Sequence, residues 1–339
     1  ARGIWMISEN LQIYRLYSNI IVAVLNISIN ILLIPIYGIA GAAIATLITQ
    51  FIGTWVISLF WKPLRQSTYD MIKSTNPIYL IKLVNNLKRN FILYFHNDPL
   101  TMSGSKSIND RKFLIKNCFK IFFNSNWSKK RFLEGFENKE INSEKLIVVY
   151  QSAKQTPVNL NRKQKTITFV GKLNKSKGYD IFGKAILKVL DNNSDWKANV
   201  IGDEQRDQII FNHNRLIKHG FLNHDKVLKI FKYSSIAVVC SRWEEPFGRT
   251  SLEAASLGCA VIISNRGGLP ETITNGLILK KLNVLELYKA INKLIKNSSE
   301  RRKLQSLSHK NFYLTHKYVT NIIDFFRNEK IKIGTFFTK

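Results

Sequence analysis

"SRWEEPFGRTSLEAASLGCAVIISNRGGLPE", Ser241 to Glu271, is the stretch on which the reading of this chain turns. Two glutamates, Glu245 and Glu253, stand eight positions apart around a Pro-Phe-Gly turn, in a chain otherwise rich in Lys, Asn and Ile. A run of small residues follows, then an apolar segment of strand character and a Gly-Gly turn at 267–268. Thr250-Ser251-Leu252-Glu253 has the spacing of a capping box, which predicts a helix from about Thr250 with reciprocal bonds between Thr250 and Glu253. Such a helix aims free backbone amides at whatever lies before it, a setting that suits a phosphate.

Working outward, short apolar runs alternate with amphipathic ones. Strands are predicted at 91–95, 120–125 and 145–150, then, after a polar linker at 151–165, at 166–171, 197–202, 217–222, 235–241 and 259–264. Helices are predicted from Ser128, at 179–190, 225–233, 251–257, 285–296 and 299–308. This alternation implies an α/β fold with a parallel sheet covered on both faces. Ligands bind at the carboxyl ends of the strands in such sheets. The acidic stretch falls at one such end.

At another end, "GKLNKSKG" (Gly171 to Gly178) places Lys172 and Lys177 on a glycine-flanked turn, able to neutralise a diphosphate. Carboxylates beside a phosphate need a different partner, and a vicinal diol supplies one. A sugar–diphosphate–ribose ligand calls for this mixture, with diol acceptors at both ends and cations and amides between them.

These residues resemble the C-terminal domain of retaining glycosyltransferases of the two-Rossmann (GT-B) type, family 4, the glycosyl transferases group 1. The Glu-x7-Glu motif from Glu245 to Glu253 carries the resemblance, supported by "FVGKLNKSKG" and "GGLPE". The resemblance implies that Glu245, with the amides of Phe247 and Gly248, holds the donor sugar. Glu253 would hold the ribose hydroxyls, and Lys172 and Lys177 the diphosphate. Gly171, Arg249 and Thr250 complete the expected donor set. Lys172 stands where the family commonly has Arg, which keeps the charge and loses the bidentate fork. "HNDP" resembles the family's acceptor-side loop, which makes His96 a second catalytic candidate beside Glu245. The implied chemistry is transfer of a hexosyl-type sugar from a nucleotide diphosphate with retained configuration. It needs no cofactor or metal, and the leaving phosphate helps to take the acceptor proton.

Bulk composition agrees with anionic small-molecule partners and argues against others. Lys plus Arg number 51 against 23 Asp plus Glu, a formal charge of +28. The cations are scattered, without a basic stripe interleaved with aromatics, so nucleic acid is not an expected partner. Cys118, Cys240 and Cys259 have no CxxC spacing, and the six histidines form no ligand pattern, so no metal site is expected.

The first eighty residues differ in kind. Leu16 to Trp61 contains no charged residue, long enough for two membrane spans broken at "IPIYG", Ile34 to Gly38. Arg2 and Arg15 before the hairpin, and Lys62, Arg65, Lys73, Lys82, Lys88 and Arg89 after it, predict both ends on the cytoplasmic side of a bacterial inner membrane. "LNISINILLIPIYGIAGAAIAT" resembles the late transmembrane segments of polysaccharide flippases of the multidrug/oligosaccharidyl-lipid exporter group. The expected organisation is a hairpin over 1–73, a partial acceptor-side Rossmann-like domain over 74–160, a nucleotide-sugar domain over 161–330 and a tail over 331–339. The first βα units of the acceptor-side domain are expected to be replaced by the hairpin, leaving the strand near Phe91 to Phe95 without cover. Three readings stay open. The first is a membrane-tethered glycosyltransferase acting on an envelope polysaccharide, lipopolysaccharide or other lipid-linked acceptor. The second is a catalytically impaired fusion or fragment that still binds nucleotide sugar, and the third a transporter fragment.

Overall fold

The computed structural model of the chain describes residues 12–53, 57, 61, 65, 91–137, 143–206 and 209–336. It divides into two compact units at 88/89, rather than at the expected 73/74. Residues 66–90, where the acceptor-side domain was expected to begin, lie outside the described residues.

The first unit contains α1, Gln12–Phe51. Where the sequence predicts two separately bounded spans, the helical segment runs over all 40 residues but across a kink, and Pro35 lies inside the first part. Its backbone leaves helical geometry at Gly38 instead (φ 57°, ψ −135°), a conformation that glycine adopts without a Cβ clash. Asn26 Nδ2 donates to Thr49 Oγ1 at 2.9 Å across this break. From Leu16 to Phe51 the helix is long and apolar enough to cross a membrane, with a mean hydropathy of 2.4. Of the flanking cations that set the expected orientation, only Arg65 is among the residues whose side chains are described.

The second unit runs β1 (Ile92–Phe95), α2 (Ile108–Asn117), β2 (Lys120–Phe123), α3 (Asn126–Leu133) and β3 (Leu146–Val148). It continues with β4 (Gln164–Val170), α4 (Tyr179–Asn192), β5 (Lys197–Ile201), β6 (Leu216–Lys218), α5 (His224–Tyr233) and β7 (Ser234–Val239). α6 (Arg249–Ser256), β8 (Ala260–Ser264), β9 (Leu277–Leu279), α7 (Val284–Lys296), α8 (Ser298–Lys310) and α9 (His316–Phe336) close it. The sequence pattern does not mark α2, β9 or α9. α9 also carries regular structure into the expected tail, whose last residues, 337–339, are outside the described set.

β1, β2 and β3 form a parallel sheet in that order. On one face Phe95 stacks on Phe123 at 5.6 Å, and both rings pack on Phe132 of α3. On the other, Ile92, Tyr94 and Phe122 meet Val319, Ile322, Ile323 and Phe326 of α9. The expectation of an uncovered surface at Phe91 to Phe95 is therefore corrected, because the last helix returns to cover it. The outer edges of β1 and β3 have no neighbouring strand among the described residues.

The larger sheet is parallel, with order β6-β5-β4-β7-β8-β9. The side-chain period of two along a strand buries opposite faces under different helices. Ile236 and Val238 face α4 and α7, while Ala237 between them faces α5 and α6. α4 buries Tyr179, Phe182, Ile186, Val189 and Leu190, and its Phe182 ring packs 5.0 Å from Phe169 on β4. Each such large apolar side chain contributes about 1.5–3 kcal/mol on burial. The two central strands, β4 and β7, begin two oppositely directed halves of the winding. A crevice opens where the strand order reverses.

Candidate functional site

A cavity of about 250 Å³ lies in that crevice, at the carboxyl ends of β4 and β7. Gly171, Lys177, Glu245, Gly248, Arg249 and Thr250 line it, so six of the nine expected donor residues converge. The sequence separates them by as many as 79 positions, and the parallel sheet brings them together by ending β4 and β7 side by side.

Close backbone packing fixes the basic turn. Gly178 precedes α4 with φ 74°, and a Cβ there would lie 1.8 Å from Cys240 O. The turn therefore lies directly against the residue that follows β7. Arg242 secures the same approach: its amide donates to Ser176 O at 2.9 Å, and its guanidinium pairs with both carboxylate oxygens of Asp180, at 2.5 and 2.7 Å. That fork holds the Asp180 carboxyl below the usual carboxylate range.

Lys177 Nζ lies 2.5 Å from Glu245 Oε1. The pair is half-buried, with side-chain exposures of 34% for Lys177 and 13% for Glu245. The cation and the carboxylate that the sequence analysis gives to different parts of a ligand are thus paired with each other.

The predicted capping box is not formed. α6 starts at Arg249, with Gly248 before it at φ 111° and no side-chain cap. Thr250 is inside the first turn, where its hydroxyl lies past the cap position, and Ser251 Oγ donates to Gly248 O at 2.8 Å instead. Glu253 turns to Arg249 Nη2 (3.1 Å) and His224 Nε2 (3.0 Å), both on its Oε1. The amides that open α6 are left unbonded by any capping side chain, at the mouth of the cavity.

The other expected residues lie around this set. Lys172 is exposed and is not among the cavity's lining residues. The Phe247 side chain is buried and stacks on Tyr150, with ring centroids at 5.7 Å. Glu253, on α6, is buried and is not among the cavity's lining residues. His96 follows β1 in the smaller sheet. Its Nδ1 accepts from Gln151 Nε2 at 2.9 Å, which leaves Nε2 to carry the proton of the neutral ring. Burial against Tyr94, at 4.1 Å between rings, and then the positive charge of Arg249 keep its pKa below the ordinary histidine value. The charge on Arg249 thus reaches a residue at the end of the smaller sheet.

The sequence analysis missed Ser241, which lines the cavity at the end of β7, and Glu271, which binds the start of α3. Glu271 stands in the quoted "GGLPE", yet nothing in its spacing names a partner 145 positions away. Burial pushes the Cys118 and Cys240 thiols up to about 12, so both act as core side chains.

Residues 151–310 match the family described as glycosyl transferases group 1. Spore coat protein SA of Bacillus subtilis is 30% identical over 169 residues, covering 43% of this chain and 44% of that protein. An uncharacterized 41.2 kDa protein in the cps region of Klebsiella pneumoniae is 28% identical over 232 residues, 63% of each chain. The chain therefore spans less than two thirds of either relative. HepE from Anabaena, solved in complex with UDP, superposes with a TM-score of 0.59 at 17% identity, covering 74% of this chain and 76% of that one. Sucrose-phosphate synthase from Thermosynechococcus elongatus gives 0.59 at 14% identity, with 80% and 78% covered. The shared fold is the α/β arrangement of GT-B glycosyltransferases.

Proposed function

We propose that this chain, whose residues 151–310 form a domain of the glycosyl transferases group 1 family, transfers a sugar from a nucleotide diphosphate to a saccharide or lipid-linked acceptor. The observation that carries this reading is the cavity between β4 and β7, where a cation, a carboxylate and an uncapped helix start converge. In this reading the diphosphate lies on the α6 amides and Lys177, with Arg249 beside it. Glu245 and the amides of Phe247 and Gly248 hold the sugar. Glu253 serves the ribose once Arg249 turns from it to the phosphates. Lys172, exposed on the same turn, adds charge at the entrance. Complexes of HepE with UDP and with UDP-glucose support a uridine donor.

Transfer with retention, of the family 4 type, is read as front-face attack by the acceptor on the side the diphosphate leaves, helped by leaving-group stabilisation and without an enzymic nucleophile. The helix-start amides and Lys177 take up charge as the bond to the diphosphate breaks, and the leaving phosphate accepts the acceptor proton. No cofactor or metal enters this scheme. His96, its pKa held below the ordinary histidine value by burial and then by the charge on Arg249, orients the sugar and its incoming hydroxyl.

The apolar first unit is the membrane anchor. A straight helix would hold residues 23 apart about 35 Å from one another. The Asn26–Thr49 bond instead supports a hairpin folded at Gly38, of the kind found in polysaccharide flippases. It tethers the catalytic unit to the cytoplasmic face of a bacterial inner membrane, where an envelope polysaccharide or lipopolysaccharide acceptor is assembled.

The test is titration calorimetry of UDP and UDP-glucose on the full chain in detergent, followed by a radiolabelled transfer assay on membranes that supply acceptor. Micromolar to millimolar UDP binding is expected, weakened by Glu253→Ala in a variant that still folds. Binding without transfer would favour the impaired-fusion reading, and absence of nucleotide binding would sink both. The full chain should also resist carbonate extraction from membranes, and recovering it as a soluble protein would remove the anchor.

A further inference from the structure

Three segments meet directly behind Glu245. The Gly268 amide donates to Glu245 O at 2.7 Å, and Ser125 Oγ donates to the next carbonyl, Pro246 O, at 2.5 Å. The carboxylate of Glu271, on the Gly268 loop, accepts from the amides of Asn126 (2.7 Å) and Trp127 (2.9 Å) and from Asn126 Nδ2 (2.9 Å). α3, a helix of the smaller sheet, thus has its first two amides satisfied by a carboxylate from the loop after β8, while the third, Ser128, donates to the hydroxyl of its N-cap, Ser125. This is the arrangement that the helix dipole favours.

There is no slack in the junction. A Cβ on Gly267 would sit 2.2 Å from Glu245 O, and one on Gly268 would sit 2.5 Å from Pro246 O and 2.8 Å from Ser125 Cβ. Close-packed contacts of this kind transmit displacement instead of absorbing it. On the cavity side, Glu245 is held by Lys177. An anion that takes Lys177 releases the Glu245 carboxylate, and the strand of chain carrying it is bonded at its very next carbonyl to Ser125.

We infer that this junction couples occupation of the donor cavity to the acceptor-side sheet, with Glu271 as the positioning residue that ties α3 to the donor loop. The coupling rests on the reading of the cavity as a nucleotide site. It gives the protein a means of registering its two halves when donor is bound, and the registered state is the one that presents His96 and the acceptor surface to the sugar.

The experiment is amide hydrogen exchange on the full chain in detergent, with and without saturating UDP, beside calorimetric UDP affinity, for wild type, Glu271→Gln and Ser125→Ala. In wild type, UDP should slow exchange of the Asn126 and Trp127 amides by about five-fold or more, the lower end of ordinary coupling between sites. In Glu271→Gln the slowing should be lost and, because coupling between sites is reciprocal, UDP affinity should fall by about the same factor, a matched pair of changes that mere loss of stability would not produce. Ser125→Ala should reduce the slowing in the same way. If UDP binds wild type and leaves these amides unchanged or faster, or if Glu271→Gln keeps the full response, the coupling is wrong. Failure of UDP to bind wild type would overturn the nucleotide reading itself, and the coupling with it.

Discussion

Lys177→Met tests the ion pair at the centre of the cavity. The pair lies between the two usual regimes, since an exposed ion pair contributes up to about 1 kcal/mol and loss of one partner of a fully buried pair costs about 3–5 kcal/mol. With Lys177 34% exposed and Glu245 only 13% exposed, the carboxylate left behind is the costly partner. A destabilisation of about 1–3 kcal/mol is expected, which for a domain of this size is a fall of about 3–9 °C in melting temperature. Glu245→Gln added to Lys177→Met should recover most of that loss, because no unpaired charge remains. UDP affinity should divide the variants differently. Removing the cation costs a charge-assisted bond to phosphate of about 1.5–3 kcal/mol, or roughly 10- to 150-fold in Kd. Glu245→Gln alone should leave UDP binding equal or stronger, since the nucleotide no longer competes with a carboxylate for Lys177. Thermal melts and UDP calorimetry on the three variants decide the matter. A folded Lys177→Met chain that binds UDP like wild type would refute the phosphate role, and equal weakening by the two single variants would refute the competition.

Gly248→Ala should lower stability by about 2–4 kcal/mol, since φ is 111° and the new methyl would meet Leu269 Cδ2 at 2.3 Å; an unchanged melt would show that the loop relaxes freely. His96 has a folded pKa below its unfolded value of 6.5, so its contribution to stability is complete above pH 6.5 and is lost as pH falls from there towards the folded pKa. NMR titration should show this depressed value, and Arg249→Met should raise it only part of the way, because burial is the larger cause. Asp180 is shifted down by its bond to Arg242, so the stability it adds is present above its unfolded value of 3.8 and disappears as pH falls through the folded pKa. The melting difference between wild type and Arg242→Met should accordingly shrink as the solution is acidified past 3.8, and a constant difference would contradict the assignment. Lys163→Met should destabilise by about 2–4 kcal/mol in a melt, because Nζ donates to Phe231 O (2.9 Å) and Leu257 O (2.8 Å), the last turns of α5 and α6.

Local chemistry made much of this protein legible in one dimension. β4, β5, β7 and β8 are apolar runs with flanking turns, and α4 and α7 repeat apolar residues at helical spacing, so period alone identifies them. Lys177, Glu245 and the helix start near Thr250 stood out because strand ends in parallel sheets face ligands, whereas Gly248 and Arg249 entered the expected set only through the resemblance carried by the Glu-x7-Glu motif. Where competing local bonds were near in energy, the pattern misled. The Thr250–Glu253 spacing suits a capping box, but Gly248 at positive φ starts the helix early, and Arg249 and His224 claim the Glu253 carboxylate. α9 carries no strong signal in its polar residues, and its place over Tyr94 and Phe122 depends on a sheet built more than 160 positions earlier.

Pairing across distance was decided only in three dimensions. Nothing in "GKLNKSKG" shows that Lys177 reaches Glu245, and nothing in "GGLPE" shows that Glu271 caps α3. The period of a strand or helix is set by neighbours two to four residues apart and is written in composition. The order β6-β5-β4-β7-β8-β9 and the close glycine packing at 178, 248, 267 and 268 depend instead on which strands find one another. The sequence by itself determined which residues carry charge, flexibility and apolar surface. Tertiary packing decided which charges meet, because an ion pair or a cap forms only where two backbones approach within a few ångströms.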